Sequence, residues 1–196
     1  MSSDRNNLRK ELRRRRKLLS PAGQHAAAER LYRRVVSWNL FLRSRRMAFY
    51  FASDGEIDPL AILFRALQMG KACYLPVLSP RQHGKVCFAP FHQGDVLQPN
   101  RWGILEPVAS QRKFIAPQSL NLVFVPLVGF DASGNRLGMG KGYYDRTFAF
   151  RTRSSGPSPR LIGLAHECQR ADAIPVSEWD IPLDGVVSDQ RIYLPR

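Results

Sequence analysis

The sequence predicts an α/β protein: a Rossmann-like three-layer sandwich with a mostly parallel sheet and antiparallel additions. Two observations carry this. Strand-length runs rich in apolar residues recur along the chain at Met47–Phe51, Lys71–Leu75, Leu122–Val125 and Leu161–Ala165. Between most of them lie segments with helical periodicity and helix-start signals, so strand and helix alternate as they do in parallel sheets. At 196 residues the chain is long enough for a substantial core, and one domain over 1–196 is expected, with a basic helical segment 1–45 packed on the α/β body.

Residues 4–19 read as a helix with Leu8, Leu12 and Leu18 or Leu19 on its apolar side, and with Arg5, Arg9 and Arg13 at every fourth position on one face. Ser20-Pro21 then predicts a second helix, with serine as N-cap and proline in the first turn, running to about Trp38 with Leu31, Val35 and Tyr32 turned to the core. MAFYF (47–51) reads as a buried strand ending in the turn ASDGEIDP (52–59), followed by a helix to about Met69 that Gly70 stops. Lys71–Leu75 is the next strand, Ser79–Gly84 a turn, and Val86–Ala89 an antiparallel edge strand, with antiparallel additions expected around 72–106. Ser110–Ser119 reads as a surface connection, Asp145–Phe150 as the continuation of a helix, and Arg151–Arg160 as a polar Gly/Pro-rich connection. Leu161–Ala165 is a buried strand, and Val186-Val187 makes a last short one.

Composition narrows the function classes. With 44% hydrophobic and 23% charged residues the chain is ordinary for a soluble globular protein, and no apolar run approaches a membrane span. Its three cysteines are too few and too scattered for a disulfide framework or a zinc site, which points to a reducing cytoplasm. The net charge of +14 is uneven: residues 1–46 hold 14 Lys/Arg against three acids, the remainder 16 against 13. Such a segment can be a nucleic-acid arm, a cationic face that draws in a polyanionic small molecule, or a solvated surface. His166 and Cys168 could be a thiol or metal pair, but no further ligands stand near them in sequence.

The stretch PLVGFDASGNRLGMGKGYYDRTF (126–148) concentrates the chemistry. Gly138, Gly140 and Gly142 alternate, so the backbone can adopt positive φ and turn its N–H groups towards one point. Arg136 and Lys141 add charge beside that concavity, which suits an anion, and a helix starting near Gly142 or Tyr143 would add its dipole. The run is not a P-loop: its spacing is one residue too long, and Gly142 stands where a Ser or Thr would bind Mg²⁺. It is not a dinucleotide fingerprint either. A phosphate-binding loop between strand and helix is the expectation, with a mobile turn as the alternative.

RLGMGKGYYDR, preceded by VPLVGFDASGN, closely resembles the signature of the 5-formyltetrahydrofolate cyclo-ligase (5,10-methenyltetrahydrofolate synthetase) family, and the resemblance extends over nearly the whole chain. It implies an ATP- and Mg²⁺-dependent ring closure and a folate substrate; no nucleic-acid or membrane partner is expected, and the chain is expected to be a monomer. By that resemblance ATP is held by Arg5, Arg9 and Arg136-Leu137-Gly138-Met139-Gly140-Lys141-Gly142-Tyr143-Tyr144, with Lys141 and Tyr143 catalytic. Folate is held by Phe51, Glu56, Trp102 and Met139–Tyr143. Glu56 would accept from the pterin's amide and amino donors, although it could also be a helix-start acid. Trp102, in the RWGILEP element, could stack on the ring or serve as a core or lid residue. Asp145 and Asp180 are the implied Mg²⁺ ligands, with Asp184 competing for the second place. Met139 departs from relatives that carry arginine between the first two loop glycines. A basic RNA-binding domain and a small-molecule kinase on the same scaffold are the rival readings.

Overall fold

The computed structural model describes residues 2–108, 114–152 and 158–195. The last turn of helix α1 (Ser2–Lys17) is made of four cations, Arg14 to Lys17, which suit the negative end of its dipole. Ser20 caps α2 (Pro21–Val36) as expected: its hydroxyl accepts from the Gly23 amide at 3.1 Å, and Ala27, Leu31 and Val35 form the buried stripe. A short helix that the sequence did not announce, α3 (Asn39–Arg43), buries Phe41 and turns the chain into β1 (Arg46–Ala48). β1 is shorter than MAFYF, although the Phe49 amide still reaches the Tyr74 carbonyl at 2.9 Å. Next come α4 (Leu60–Gln68), β2 (Ala72–Leu78) and β3 (Val86–Phe91), then a small antiparallel hairpin of β4 (Leu97–Pro99) and β5 (Leu105–Pro107). β6 (Leu122–Pro126) leads to a second hairpin, β7 (Gly129–Phe130) and β8 (Arg136–Leu137), and then to α5 (Tyr143–Phe148). β9 (Arg160–Ala165), β10 (Gly185–Ser188) and β11 (Ile192–Tyr193) complete the chain. The connections expected over 110–119 and 151–160 lie partly outside the described residues.

The main sheet has seven strands in the order β11-β10-β9-β6-β1-β2-β3. The five from β10 to β2 are mutually parallel, while β3 and β11 are antiparallel edges. The edge at β3 was expected. That at β11 was not, because two residues after a turn carry no strand pattern of their own. Alternation along each strand divides the core. Met47, Phe49, Leu122, Phe124, Ile162 and Leu164 face α2, α3 and α4. Ala48, Val123, Val125, Leu161 and Ala165 face α5 and the segments around Leu127, Phe130 and Leu183.

α1 covers the β7–β8 hairpin, where Leu12 joins Val128, Leu137 and Ile174 in a third cluster. Gly129 makes this approach possible: a Cβ there would stand 2.2 Å from Leu12 Cδ1 and 3.3 Å from the Gln169 carbonyl oxygen. Gly129→Ala is therefore expected to lower stability by about 1–3 kcal/mol through overpacking. Urea denaturation measures this, and an unchanged midpoint would mean that α1 is only loosely seated.

Candidate active site

Numbered along the chain, the parallel strands stand in the order 2-1-3-4-5, so the crossover direction reverses between β1 and β6. Ligands of open α/β sheets bind beyond the carboxyl ends of strands at such a reversal. Two segments singled out from sequence leave from there: the turn carrying Glu56 follows β1, and the β7–β8 hairpin with its glycine loop follows β6.

The loop has the backbone its composition suggests in two of three glycines. Gly140 (φ 92°) and Gly142 (φ 64°) take the left-handed region, whereas Gly138 does not. α5 has six residues, so its dipole is short, and most of any pull on an anion must come from loop amides and side-chain cations. The arginine stripe of α1 lies along this site, each member on a different segment. Arg5 Nη1 donates to Asp180 Oδ2 at 2.6 Å and to Ser177 Oγ at 2.9 Å. Arg9 Nε donates to the Gly138 carbonyl at 2.9 Å, and Arg13 Nε to Asp54 Oδ2 at 2.7 Å. A side chain at Gly140 would meet Arg9, whose Cζ lies 3.6 Å from the position of such a Cβ.

Glu56 is half-buried and accepts from the Ser53 amide at 3.1 Å and the Ser53 hydroxyl at 3.3 Å. Burial pushes its carboxyl up to about 7, against the pull of these bonds and of the Arg16 charge. Phe51 packs edge-on against Phe91, with 6.1 Å between ring centroids.

Both carboxylates expected at a metal are engaged by arginines. Arg136 Nη2 donates to Asp145 Oδ1, and Asp180 is held by Arg5. The Ile181 amide also donates to Asp145 Oδ1 at 3.2 Å, so Asp145 and Asp180 belong to adjoining segments. Asp184 is occupied elsewhere, accepting from Arg151 at 2.8 Å, Arg160 at 2.9 Å and the Leu161 amide at 2.8 Å. It ties β10 to β9. Two hard oxygen donors on adjoining segments fit Mg²⁺ shared with phosphate oxygens. Among the described residues no group of three or more His, Cys, Asp or Glu gathers into a complete metal cage.

Trp102 is not a core residue; it is 50% exposed at the tip of the β4–β5 hairpin. The Lys141 ammonium stands 4.9 Å above its ring, and the neighbouring Arg101 guanidinium donates to the Tyr143 hydroxyl at 2.6 Å. That hydrogen bond holds the Tyr143 phenol below its ordinary value. The hairpin tip thus touches two loop residues expected to be catalytic.

A model of the 5-formyltetrahydrofolate cyclo-ligase family matches residues 1–189. The chain belongs to this family. The 5-formyltetrahydrofolate cyclo-ligase of Escherichia coli K12 is 34% identical over 183 residues, covering 93% of this chain and 98% of that protein. The Haemophilus influenzae enzyme of the same name is also 34% identical, over 91% of this chain and 94% of its own. The NMR structure of Aquifex aeolicus 5,10-methenyltetrahydrofolate synthetase superposes with a TM-score of 0.81 at 30% identity, covering 98% of this chain and 93% of that one. The chain is accordingly a cyclo-ligase enzyme. No helix among its described residues is long and apolar enough to cross a membrane.

Two arginines of this cyclo-ligase escaped the sequence reading. Arg101 was visible only as a neighbour of Trp102. Arg16 is fully buried: its Nη2 donates to Asp54 Oδ2 at 2.7 Å, holding a residue that has left-handed backbone (φ 50°) in the turn before Glu56. In a run of four arginines no local signal separates the buried one from its solvated neighbours. Gln169 is structural, donating to the carbonyls of Leu127 at 2.8 Å and Val128 at 3.0 Å. Burial pushes the His166 imidazole down and the Cys168 thiol up, which leaves both neutral and unsuited to thiolate chemistry.

Proposed function

We propose that the chain, acting as one monomeric domain, converts 5-formyltetrahydrofolate to 5,10-methenyltetrahydrofolate with consumption of ATP and release of ADP and phosphate. One juxtaposition supports this above all. A cationic glycine loop and an ionisable, recessed glutamate lie on neighbouring segments at the crossover reversal. A nucleotide's phosphates and a pterin are what these two segments suit.

The triphosphate lies in the loop 136–144, with Arg5, Arg9, Arg136 and Lys141 supplying positive charge around its oxygens. Arg5 and Arg136 exchange their present carboxylate partners for phosphate as the nucleotide arrives. Asp145 and Asp180 would hold Mg²⁺, whose charge offsets that of the phosphate oxygens. Glu56, as the carboxylate, accepts from the pterin's ring N–H and amino group; Phe51 gives an apolar wall, and Trp102 covers the site from the hairpin.

The formyl oxygen attacks the γ-phosphorus, the bond to the bridging oxygen breaks, and ADP departs with that electron pair. The second folate nitrogen then adds to the activated formyl carbon, losing its proton, and inorganic phosphate leaves with the former formyl oxygen. Phosphorylation turns a poor leaving group into a good one. The protein's task is alignment and charge stabilisation, so no nucleophilic side chain is needed. Tyr143, with its phenol held by Arg101, lies beside the reacting groups and orients them.

Purified protein mixed with MgATP and 5-formyltetrahydrofolate is expected to develop the near-ultraviolet absorbance of the methenyl product, with one phosphate released per product. ADP formed on another acceptor without that chromophore would replace this reading with a kinase. Salt-sensitive RNA binding with neither signal would replace it with a nucleic-acid protein. Asp180→Asn is expected to raise the Mg²⁺ concentration needed for half-maximal rate by about 10-fold or more, a typical loss when a metal's supporting oxygen is weakened. An unchanged Mg²⁺ titration would remove Asp180 from the metal.

A further inference from the structure

Tyr144 carries a hydroxyl that is out of reach of solvent and has no hydrogen-bond partner. Among the described residues no other tyrosine hydroxyl is in this state. Its ring is well seated, stacked on Phe148 with 6.2 Å between centroids and 23° between planes, and packed on the apolar cluster beneath α5. A buried hydroxyl left unpaired is a cost to a folded protein, so its persistence calls for a partner that arrives after folding.

The surroundings say which partner. The charges acting on this phenol are Glu56 and Arg136. Glu56 lies on the turn after β1, and Arg136 pairs with Asp145, the residue next to Tyr144. Tyr144 and Tyr143 are adjacent but serve different sides: the Tyr143 hydroxyl is exposed and taken by Arg101, whereas that of Tyr144 turns inward. The other phenol that feels Glu56, Tyr50, is already committed, donating to the Ile57 carbonyl at 2.9 Å.

We propose that Tyr144 is a substrate-binding residue on the folate side of the site, its hydroxyl donating to the pterin's carbonyl oxygen beside the two N–H groups taken by Glu56. This rests on the folate reading given above, and it moves Tyr144 from the nucleotide's ligands to the folate's. The pterin edge presents an amino donor, a ring N–H donor and a carbonyl acceptor in a row. A carboxylate satisfies the first two and leaves the third needing a donor.

Tyr144→Phe keeps the ring and its stack on Phe148 and removes only the hydroxyl. Three quantities are measured on the full-length wild type and variant. They are the dissociation constant of 5-formyltetrahydrofolate with and without a non-hydrolysable ATP analogue, that of the magnesium complex of the analogue alone, and the thermal midpoint. The folate constant is expected to rise about 10-fold, the worth of one buried hydrogen bond, with nucleotide affinity unchanged. The midpoint stays level or rises, because an unpaired buried group has gone. A structural hydroxyl would instead lower the midpoint, and a nucleotide ligand would weaken the analogue; either result overturns the assignment, as does an unchanged folate constant. Wild type that binds no 5-formyltetrahydrofolate in either condition defeats the cyclo-ligase reading and this assignment together. Wild-type binding with an indifferent variant defeats Tyr144 alone.

Discussion

Lys141→Ala is expected to lower kcat/KM for MgATP by about 100- to 1000-fold while leaving the fold intact. The magnitude is that of removing one preorganised charge from a developing anion. The structure makes this a clean test, because the Lys141 side chain is exposed and its ammonium rests 4.9 Å from the Trp102 ring rather than in a buried ion pair. Nothing in the core collapses when it goes. Asp145 offers no such separation: it compensates Arg136, only 8% exposed, and an alanine there would leave that guanidinium uncompensated at a cost of about 3–5 kcal/mol. The comparison to make is steady-state turnover against thermal midpoint. A loss smaller than about 3-fold would take Lys141 away from the reacting phosphate.

Glu56→Gln is expected to reduce folate affinity by about 10- to 100-fold at pH 8, the range for losing a charged hydrogen-bond acceptor. The variant should at the same time be more stable than wild type at that pH. Both effects have one cause. Burial holds the carboxyl at about 7, against an ordinary value of 4.5. The folded chain therefore keeps a proton that the unfolded chain releases, and Glu56 favours folding at low pH. That advantage is lost as pH rises from about 4.5 to about 7, beyond which the buried charge is fully present. Glutamine carries no such burden, so the stability difference should open over that interval and level off above it. Binding runs in the opposite sense, because the carboxylate is the better acceptor: wild-type affinity for 5-formyltetrahydrofolate should increase as pH rises through about 7, and the variant's should stay flat. Parallel pH profiles for the two proteins would show that Glu56 does not meet the pterin.

The glycine run with its cations, the Ser20-Pro21 helix start and the apolar strands were legible because each is a local pattern: a cap, a period or a backbone preference. The β4–β5 hairpin was legible only as part of the antiparallel additions expected around 72–106, not strand by strand. Its strands are three residues each and include Pro99 and Pro107, so they carry no alternation to read. Arg101 was hidden with it, since its significance lies in reaching a phenol 42 residues away in sequence. The Asp180–Asp184 ambiguity had the same origin. Either carboxylate suits a metal by type, and only the partners separate them: Asp184 is consumed in joining β9 to β10, while Asp180 stands next to the amide that contacts Asp145.

By itself the sequence determined the alternation of strands and helices, the positions of the flexible glycines and the kinds of charge available, since these depend on neighbours along the chain. Tertiary structure alone decided which of four successive arginines is buried, which of Asp180 and Asp184 adjoins Asp145, and that one of two adjacent tyrosines hides an unpaired hydroxyl. Those outcomes depend on burial and on partners brought together from distant segments, and a side chain's chemistry is set as much by what excludes water from it as by its own identity.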